Sequence, residues 1–156
     1  LTRDSDQTLA DSSATNKKID DMQKRVKLIA DSKAVFTISI HQNSYPDSSV
    51  SGPQVFYYSQ SADGEALASH IQDSLNKQLA PASPRSVKSN DNYYLLKKTP
   101  TPTVIVECGF LSNPDEAARL IDEDYQNKLV RAIYLGAISY LSETNSFTVD
   151  RKLSAI

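Results

Sequence analysis

Hydrophobic positions change period several times along this chain, and each change marks an element. Between Asn16 and Ser32, the residues Ile19, Met22, Val26, Ile29 and Ala30 fall at helical spacing and predict an amphipathic helix. The run 34–40 is apolar and β-rich and predicts a strand; Gln54 to Tyr58 predicts a second. Between them Asn43 to Gly52, with Pro46 and several serines, reads as a surface loop. Leu67, Ile71, Leu75 and Leu79 repeat every fourth position and predict a helix over 63–79, ended by Pro81 and Pro84.

Further on, Tyr93 to Lys97 reads as a strand or an extended edge. Pro100 and Pro102 break the chain before a short apolar run, 103–107. Asn113-Pro114-Asp115-Glu116 is a helix start: Asn113 caps, Pro114 suits the first helical position, and Glu116 completes a capping-box-like arrangement. Val130, Ile133, Tyr134, Ala137, Ile138 and Leu141 line one face of the last long helix, and residues 143–156 read as a polar tail. The polar stretch from Asp4 to Asn16 reads as a loop. Helices alternating with short apolar strands argue for an α/β fold, with 34–40 and 103–107 as its central strands.

Composition narrows the function classes. At 156 residues the chain can bury one ordinary core. A net charge of −2 offers no electrostatic footprint for nucleic acid or an anionic membrane. No apolar run approaches the roughly 18 residues that span a bilayer, and no signal peptide is visible. The chain begins at Leu1 with residues that read as an interior segment, so its start is expected to be cut away. The single cysteine, Cys108, makes no intramolecular disulfide and no paired-cysteine metal clip.

Two of the apolar runs deliver an ionisable residue each: 34–40 leads into His41, and 103–106 into Glu107. Ligands of open α/β sheets sit outside the carboxyl ends of the strands, so both positions are candidates for chemistry. Imidazole is a common metal ligand and a neutral-pH acid or base; the bland alternative is a histidine bonded to backbone at a strand end. A carboxylate at the end of a buried strand is expensive unless paired, and partial desolvation gives it the raised pKa of a general base. Its bland alternative is a structural carboxylate satisfied by an arginine or by backbone amides.

Cys108 permits a rival pairing with His41 as nucleophile and base. Strand alternation opposes it, because Glu107 and Cys108 point to opposite sides. His70, mid-helix among polar residues, reads as solvent-facing. Tyr57-Tyr58 and Tyr93-Tyr94 are candidates to line a saccharide or peptide groove, and Arg25 and Arg85 to clamp a carboxylate.

Ser39-Ile40-His41-Gln42-Asn43, the stretch from Gly52 to Tyr58, and Val106-Glu107-Cys108-Gly109-Phe110-Leu111-Ser112-Asn113 together resemble the zinc-dependent N-acetylmuramoyl-L-alanine amidases, bacterial cell-wall hydrolases. The opening Thr2-Arg3-Asp4, the segment 25–30 and the tract 125–141 resemble the same family. Within it, 25–29 and 52–58 look most like the germination-specific amidases of spore formers.

The resemblance implies a twisted, mostly parallel sheet flanked by helices, with His41 as a zinc ligand and Glu107 as the catalytic glutamate; Asn43 and Arg85 are expected to bind substrate. It implies Zn2+ as cofactor, peptidoglycan glycan strands and stem peptides as partners, an activator protein, and an extracytoplasmic location at the cell wall or spore cortex. The family's other two zinc ligands and first strands precede its threonine-arginine segment and have no matching position here. Residues 1–142 are therefore expected to be the C-terminal portion of a catalytic domain. A non-catalytic homologue that binds peptidoglycan or another protein is the alternative.

Overall fold

The first helix, α1 (Lys17–Ser32), starts where Asn16 accepts the Ile19 amide on its side chain and stops where Lys33 turns left-handed at φ 51°. The computed structural model describes residues 1–2, 5 and 7–153, with side chains as far as Thr144. Arg3, Asp4 and Asp6, which belong to the threonine-arginine-aspartate segment and its loop, lie outside the described residues, as do residues 154–156 of the polar tail. The N-terminal stretch is tied down on α1. Asp21 accepts from the Leu9 amide at 2.8 Å, from Thr8 Oγ1 at 3.0 Å and from Arg25 Nε at 2.6 Å.

The remaining elements are β1 (Thr37–Asn43), β2 (Gln54–Tyr57), α2 (Ala62–Leu79), β3 (Lys88–Ser89), α3 (Tyr94–Lys98), β4 (Thr103–Phe110), α4 (Pro114–Leu120) and α5 (Glu123–Leu153). The sheet runs β1-β4-β2-β3. β1 pairs with β4 in parallel, β2 with β3 in parallel, and the middle pair β2 and β4 is antiparallel. The fold is thus α/β with a mixed sheet.

Strand alternation sorts β4 between two cores. Val104, Val106 and Cys108 join Leu67, Ile71 and Leu75 of α2 and Leu129, Ala132 and Tyr140 of α5 in the larger cluster. Ile105 packs with Phe56 and Leu96 on the other face. Gln72, fully enclosed on α2, accepts the Val55 amide at 2.8 Å and donates to Pro53 O at 3.1 Å, which anchors the start of β2. Gly136 lets α5 approach α2 closely: a Cβ there would lie 2.5 Å from Ile71 Cα.

Four sequence expectations change. First, β4 is central as expected, but its inner neighbour is β2; β1 stands at the edge among the described residues, and its Ile40 is 55% exposed. An apolar run reports that a strand wants covering, not which strand covers it.

Second, the edge expected at 93–97 is the one-turn helix α3. Asn90 Oδ1 accepts the Asn92 and Tyr93 amides at 2.8 and 3.0 Å, an Asx turn that bends the chain and leaves Leu95 and Leu96 both buried.

Third, the buried face of α5 is rotated from the expected one. Of the expected positions Ala137 is buried and Ile133 and Leu141 pack against the core, but Val130, Tyr134 and Ile138 are exposed and Leu129, Ala132 and Tyr140 are buried in their place, because apolar residues occupy more than half the circumference and the small residues choose the contact. Last, α5 continues to Leu153, so the polar tail begins within a helix.

Candidate active site

His41 and Glu107 are direct cross-strand partners in the parallel β1–β4 ladder, so their side chains leave the same face of the sheet. Both strands run past them, to Asn43 and Phe110, so His41 sits two residues and Glu107 three residues inside the strand ends rather than at them. Beyond the pair the ladder slips: two residues of β1, from His41 to Asn43, match three of β4, from Glu107 to Phe110. Such a bulge bends the strand and re-aims its side chains.

His41 and Glu107 line a cavity of about 450 Å³ floored by Ser39 and Ile105, with Arg25 of α1 on one wall and Tyr93 and Tyr94 on the other. Ser39 Oγ lies 2.9 Å from His41 Nε2. Partial burial, reinforced by the Arg25 charge, lowers the His41 pKa below the ordinary histidine value. The imidazole is therefore neutral at pH 7 and keeps a lone pair for a metal or a proton.

Glu107 is 7% exposed, and its Oε2 is a buried side-chain oxygen without a hydrogen-bond partner among the described residues. Desolvation raises its pKa. Buried carboxylates are ordinarily paired, and an orphan one marks a group kept ready for something the fold itself does not supply.

The contrast with Glu116 is instructive. Glu116, also buried, accepts the Phe110 amide on Oε2 at 2.8 Å and the Gly52 amide on Oε1 at 2.9 Å. It does not turn back on the Asn113 amide, which donates to Phe110 O instead; only the Asn113 half of the expected capping box forms, with Asn113 Oδ1 accepting the Glu116 amide at 3.0 Å. The structural carboxylate satisfied by backbone amides is thus Glu116, not Glu107.

The structure brings Arg25, Tyr93 and Tyr94 to the cavity with His41 and Glu107, but not Asn43 or Arg85. Asn43 stands opposite Phe110, its side chain accepting the Ser44 amide at 2.8 Å. Arg85 stacks over the Phe110 ring with 4.9 Å to its centre and donates from Nε to Ser51 O at 2.7 Å. Tyr57 donates its hydroxyl to Glu65 at 2.8 Å, away from the cavity.

His70 is not simply solvent-facing: Nε2 meets Glu143 at 2.7 Å and Nδ1 meets Ser139 Oγ at 3.1 Å, bridging α2 to α5. Cys108 is buried on the opposite face from His41, and burial with the nearby Glu107 charge pushes its thiol up to about 11. That geometry and that pKa remove the cysteine-nucleophile reading. Ser39, Lys18 and Met22 line the cavity, although the sequence marks none of them as a site residue. Ser39 was readable from strand alternation, two residues before His41, whereas the α1 residues required the tertiary fold.

The sequence profile of the N-acetylmuramoyl-L-alanine amidase family matches residues 1–139. The germination-specific N-acetylmuramoyl-L-alanine amidase of Bacillus subtilis (strain 168) is 40% identical over 146 residues, which cover 92% of this chain and 61% of that protein. The chain therefore spans about three fifths of that relative's length. Among solved structures, the CwlD amidase from Clostridioides difficile, in complex with the GerS lipoprotein, superposes with a TM-score of 0.86 at 38% identity, covering 91% of this chain and 74% of that one. The catalytic domain of CwlV, an N-acetylmuramoyl-L-alanine amidase from Bacillus (Paenibacillus) polymyxa var. colistinus, does so with a TM-score of 0.73 at 32% identity, covering 91% and 71%.

Proposed function

Because the chain belongs to the N-acetylmuramoyl-L-alanine amidase family, we propose that it hydrolyses the amide joining the lactyl group of N-acetylmuramic acid to L-alanine in peptidoglycan. The observation that supports this best is Glu107, a buried and orphaned carboxylate with a raised pKa, facing a cavity beside a neutral imidazole. As a water oxygen adds to the amide carbonyl, Glu107 takes the water's proton. It returns that proton to the nitrogen as the C–N bond breaks, leaving a lactyl carboxylate and a peptide with a free L-alanine amine. The Tyr93 and Tyr94 rings, on the cavity wall, suit the apolar face of a sugar or peptide.

His41 is the proposed zinc ligand. A catalytic zinc takes about three protein ligands, and no group of three His, Cys, Asp or Glu side chains able to hold a metal exists among the described residues. The residues present therefore fit one ligand of such a site and not the whole of it. The remaining donors are proposed to come from outside residues 1–156, with residues 1–142 forming the C-terminal portion of the catalytic domain. The unpaired edge of β1 is the proposed place for further strands. The same donor shortage favours the second reading, a homologue that binds peptidoglycan without cleaving it, and the zinc content of the full-length protein separates the two.

The substrate-binding roles of Asn43 and Arg85 are proposed for the Phe110 end of the strand pair, where both reside. Peptidoglycan glycan strands and stem peptides are the proposed partners, at an extracytoplasmic site in the cell wall or spore cortex. An activator protein is proposed as a further partner, supported by the clostridial relative, whose structure is a complex with a lipoprotein. No helix among the described residues is long and apolar enough to cross a membrane.

Mass spectrometry of digested peptidoglycan tests the reaction. Stem peptides starting at a free L-alanine are the expected product, and cleavage at glycosidic or peptide–peptide bonds instead would refute the assignment.

A further inference from the structure

Glu116 is 4% exposed, and both of its carboxylate oxygens are committed to backbone amides from different segments. Phe110 closes β4, three residues beyond Glu107. Gly52 opens the turn into β2, two residues before Gln54, which stands opposite Glu107 in the antiparallel ladder. One carboxylate thus grips the chain at the strand that carries Glu107 and at the entry to the strand paired beside it.

The need for a grip is visible in the backbone. The β1–β4 ladder slips immediately after His41 and Glu107, and a bulge releases amides from regular pairing. Glu116 takes the Phe110 amide at that place. At the other contact Gly52 holds φ +95°, where residues with side chains are strained, and an added Cβ would lie 2.8 Å from Ser83 O. Packing at the bulge is close: a Cβ on Gly109 would sit 3.4 Å from Glu116 Oε2 and 3.3 Å from Leu120 Cδ1. Glu116 itself lies outside the cavity lining, so it reaches the site only through the backbone.

We propose that Glu116 is a positioning residue for the amide hydrolysis: its carboxylate fixes the bulge after Glu107 and the turn before Gln54, and so holds the Glu107 carboxyl against His41. The proposal rests on the amidase reading above. Glu116→Gln is nearly isosteric but offers one acceptor oxygen where two amides need one each, so one of the two contacts is lost while the volume is kept. Ser61→Ala is the control. Ser61 caps α2 at the other end of β4, near Thr103, so its loss lowers stability without touching the bulge.

The test is steady-state hydrolysis of muropeptides by the full-length protein, at a temperature where every variant is folded. It is paired with hydrogen exchange at the Phe110 and Gly52 amides. For Glu116→Gln, kcat is expected to fall about tenfold to a hundredfold, the scale of a small misplacement of a catalytic group, with KM within about twofold and with faster exchange at one of the two amides. Ser61→Ala keeps the wild-type kcat. A Glu116→Gln variant with faster exchange and wild-type kcat overturns the proposal and leaves Glu116 a purely structural clamp.

If Glu116→Gln does not fold, Glu116→Asp, which withdraws the carboxylate by one methylene, replaces it. A reduced kcat at constant KM supports the proposal, and an unchanged kcat overturns it. A wild-type protein that releases no L-alanine-terminated peptide refutes the amidase reading instead. Exchange at Phe110 and Gly52 then decides the clamp alone, faster in the variant supporting it and unchanged overturning it.

Discussion

Removing the charge at Glu107 is predicted to stabilise the fold. Glu107 is 7% exposed and its Oε2 has no partner among the described residues, so the folded state holds a desolvated acceptor that water would satisfy in the unfolded chain. Orphaning a buried polar group costs about 1–3 kcal/mol, more when it is charged. Glutamine keeps the shape and a polar end but cannot ionise, so Glu107→Gln is expected to recover about 1–2 kcal/mol at neutral pH. For a chain of this size that is about 2–8 °C in Tm.

The sign with pH follows from linkage. Desolvation puts the folded pKa above the ordinary 4.5. As pH rises through 4.5 the unfolded chain releases its proton first, and the wild type loses stability until the pH passes the folded pKa. The advantage of Glu107→Gln is therefore small near pH 4 and larger at pH 7.5. Urea denaturation of both proteins at those two pH values, with chelator present, measures it. A variant that is equally or less stable at pH 7.5, or an advantage independent of pH, would refute the picture of Glu107 as an orphaned buried acid.

Other consequences are open to direct measurement. Gly136→Ala gains about 1 kcal/mol of helix propensity but drives a Cβ to within 2.5 Å of Ile71 Cα and 2.7 Å of His70 O. Overpacking against backbone wins, and a net loss of about 1–3 kcal/mol is expected in thermal melts; unchanged stability would contradict the close α2–α5 approach. Burial pushes Asp21 up, but hydrogen bonds from Leu9, Arg25 and Thr8 outweigh it and hold the pKa below 3.8. Its contribution is present above that value and lost as pH falls through the folded pKa, so Asp21→Asn should melt below wild type at pH 7, and the gap should narrow as pH falls below 3.8. Cys108, buried with its thiol at about 11, should resist iodoacetamide at pH 8 in the native protein and react in urea. Alkylation of the native thiol at the rate of a free cysteine would show that β4 is not enclosed.

Periodicity made most of this fold legible. The leucines at every fourth position of α2 and the Asn113-Pro114 helix start emerge within a residue of their predicted places. Alternation along β4 places Glu107 and Cys108 on opposite faces, and Cys108 does join the larger core away from His41. What pattern could not supply was partnership. The edge position of β1, the rotated face of α5 and the Asx turn into α3 depend on which surface meets which.

The site divides the same way. His41 and Glu107 were readable because each follows an apolar run, a local signal. Glu116 looked like a capping residue because its true partners, Phe110 and Gly52, are set by a bulge and a turn that arise only when the strands pair. Conversely, Asn43, which shares the His41 motif, and Arg85, a candidate carboxylate clamp, make their own contacts around Phe110 instead of lining the cavity.

The central claim is that Glu107 is the base of an amidase. Turnover of muropeptides by the full-length Glu107→Gln protein, measured alongside its bound zinc, tests it most directly. Zinc content equal to wild type is expected, with kcat lowered by about 10²- to 10⁴-fold, the contribution of a positioned general base. A variant that retains zinc and hydrolyses at the wild-type rate would contradict it.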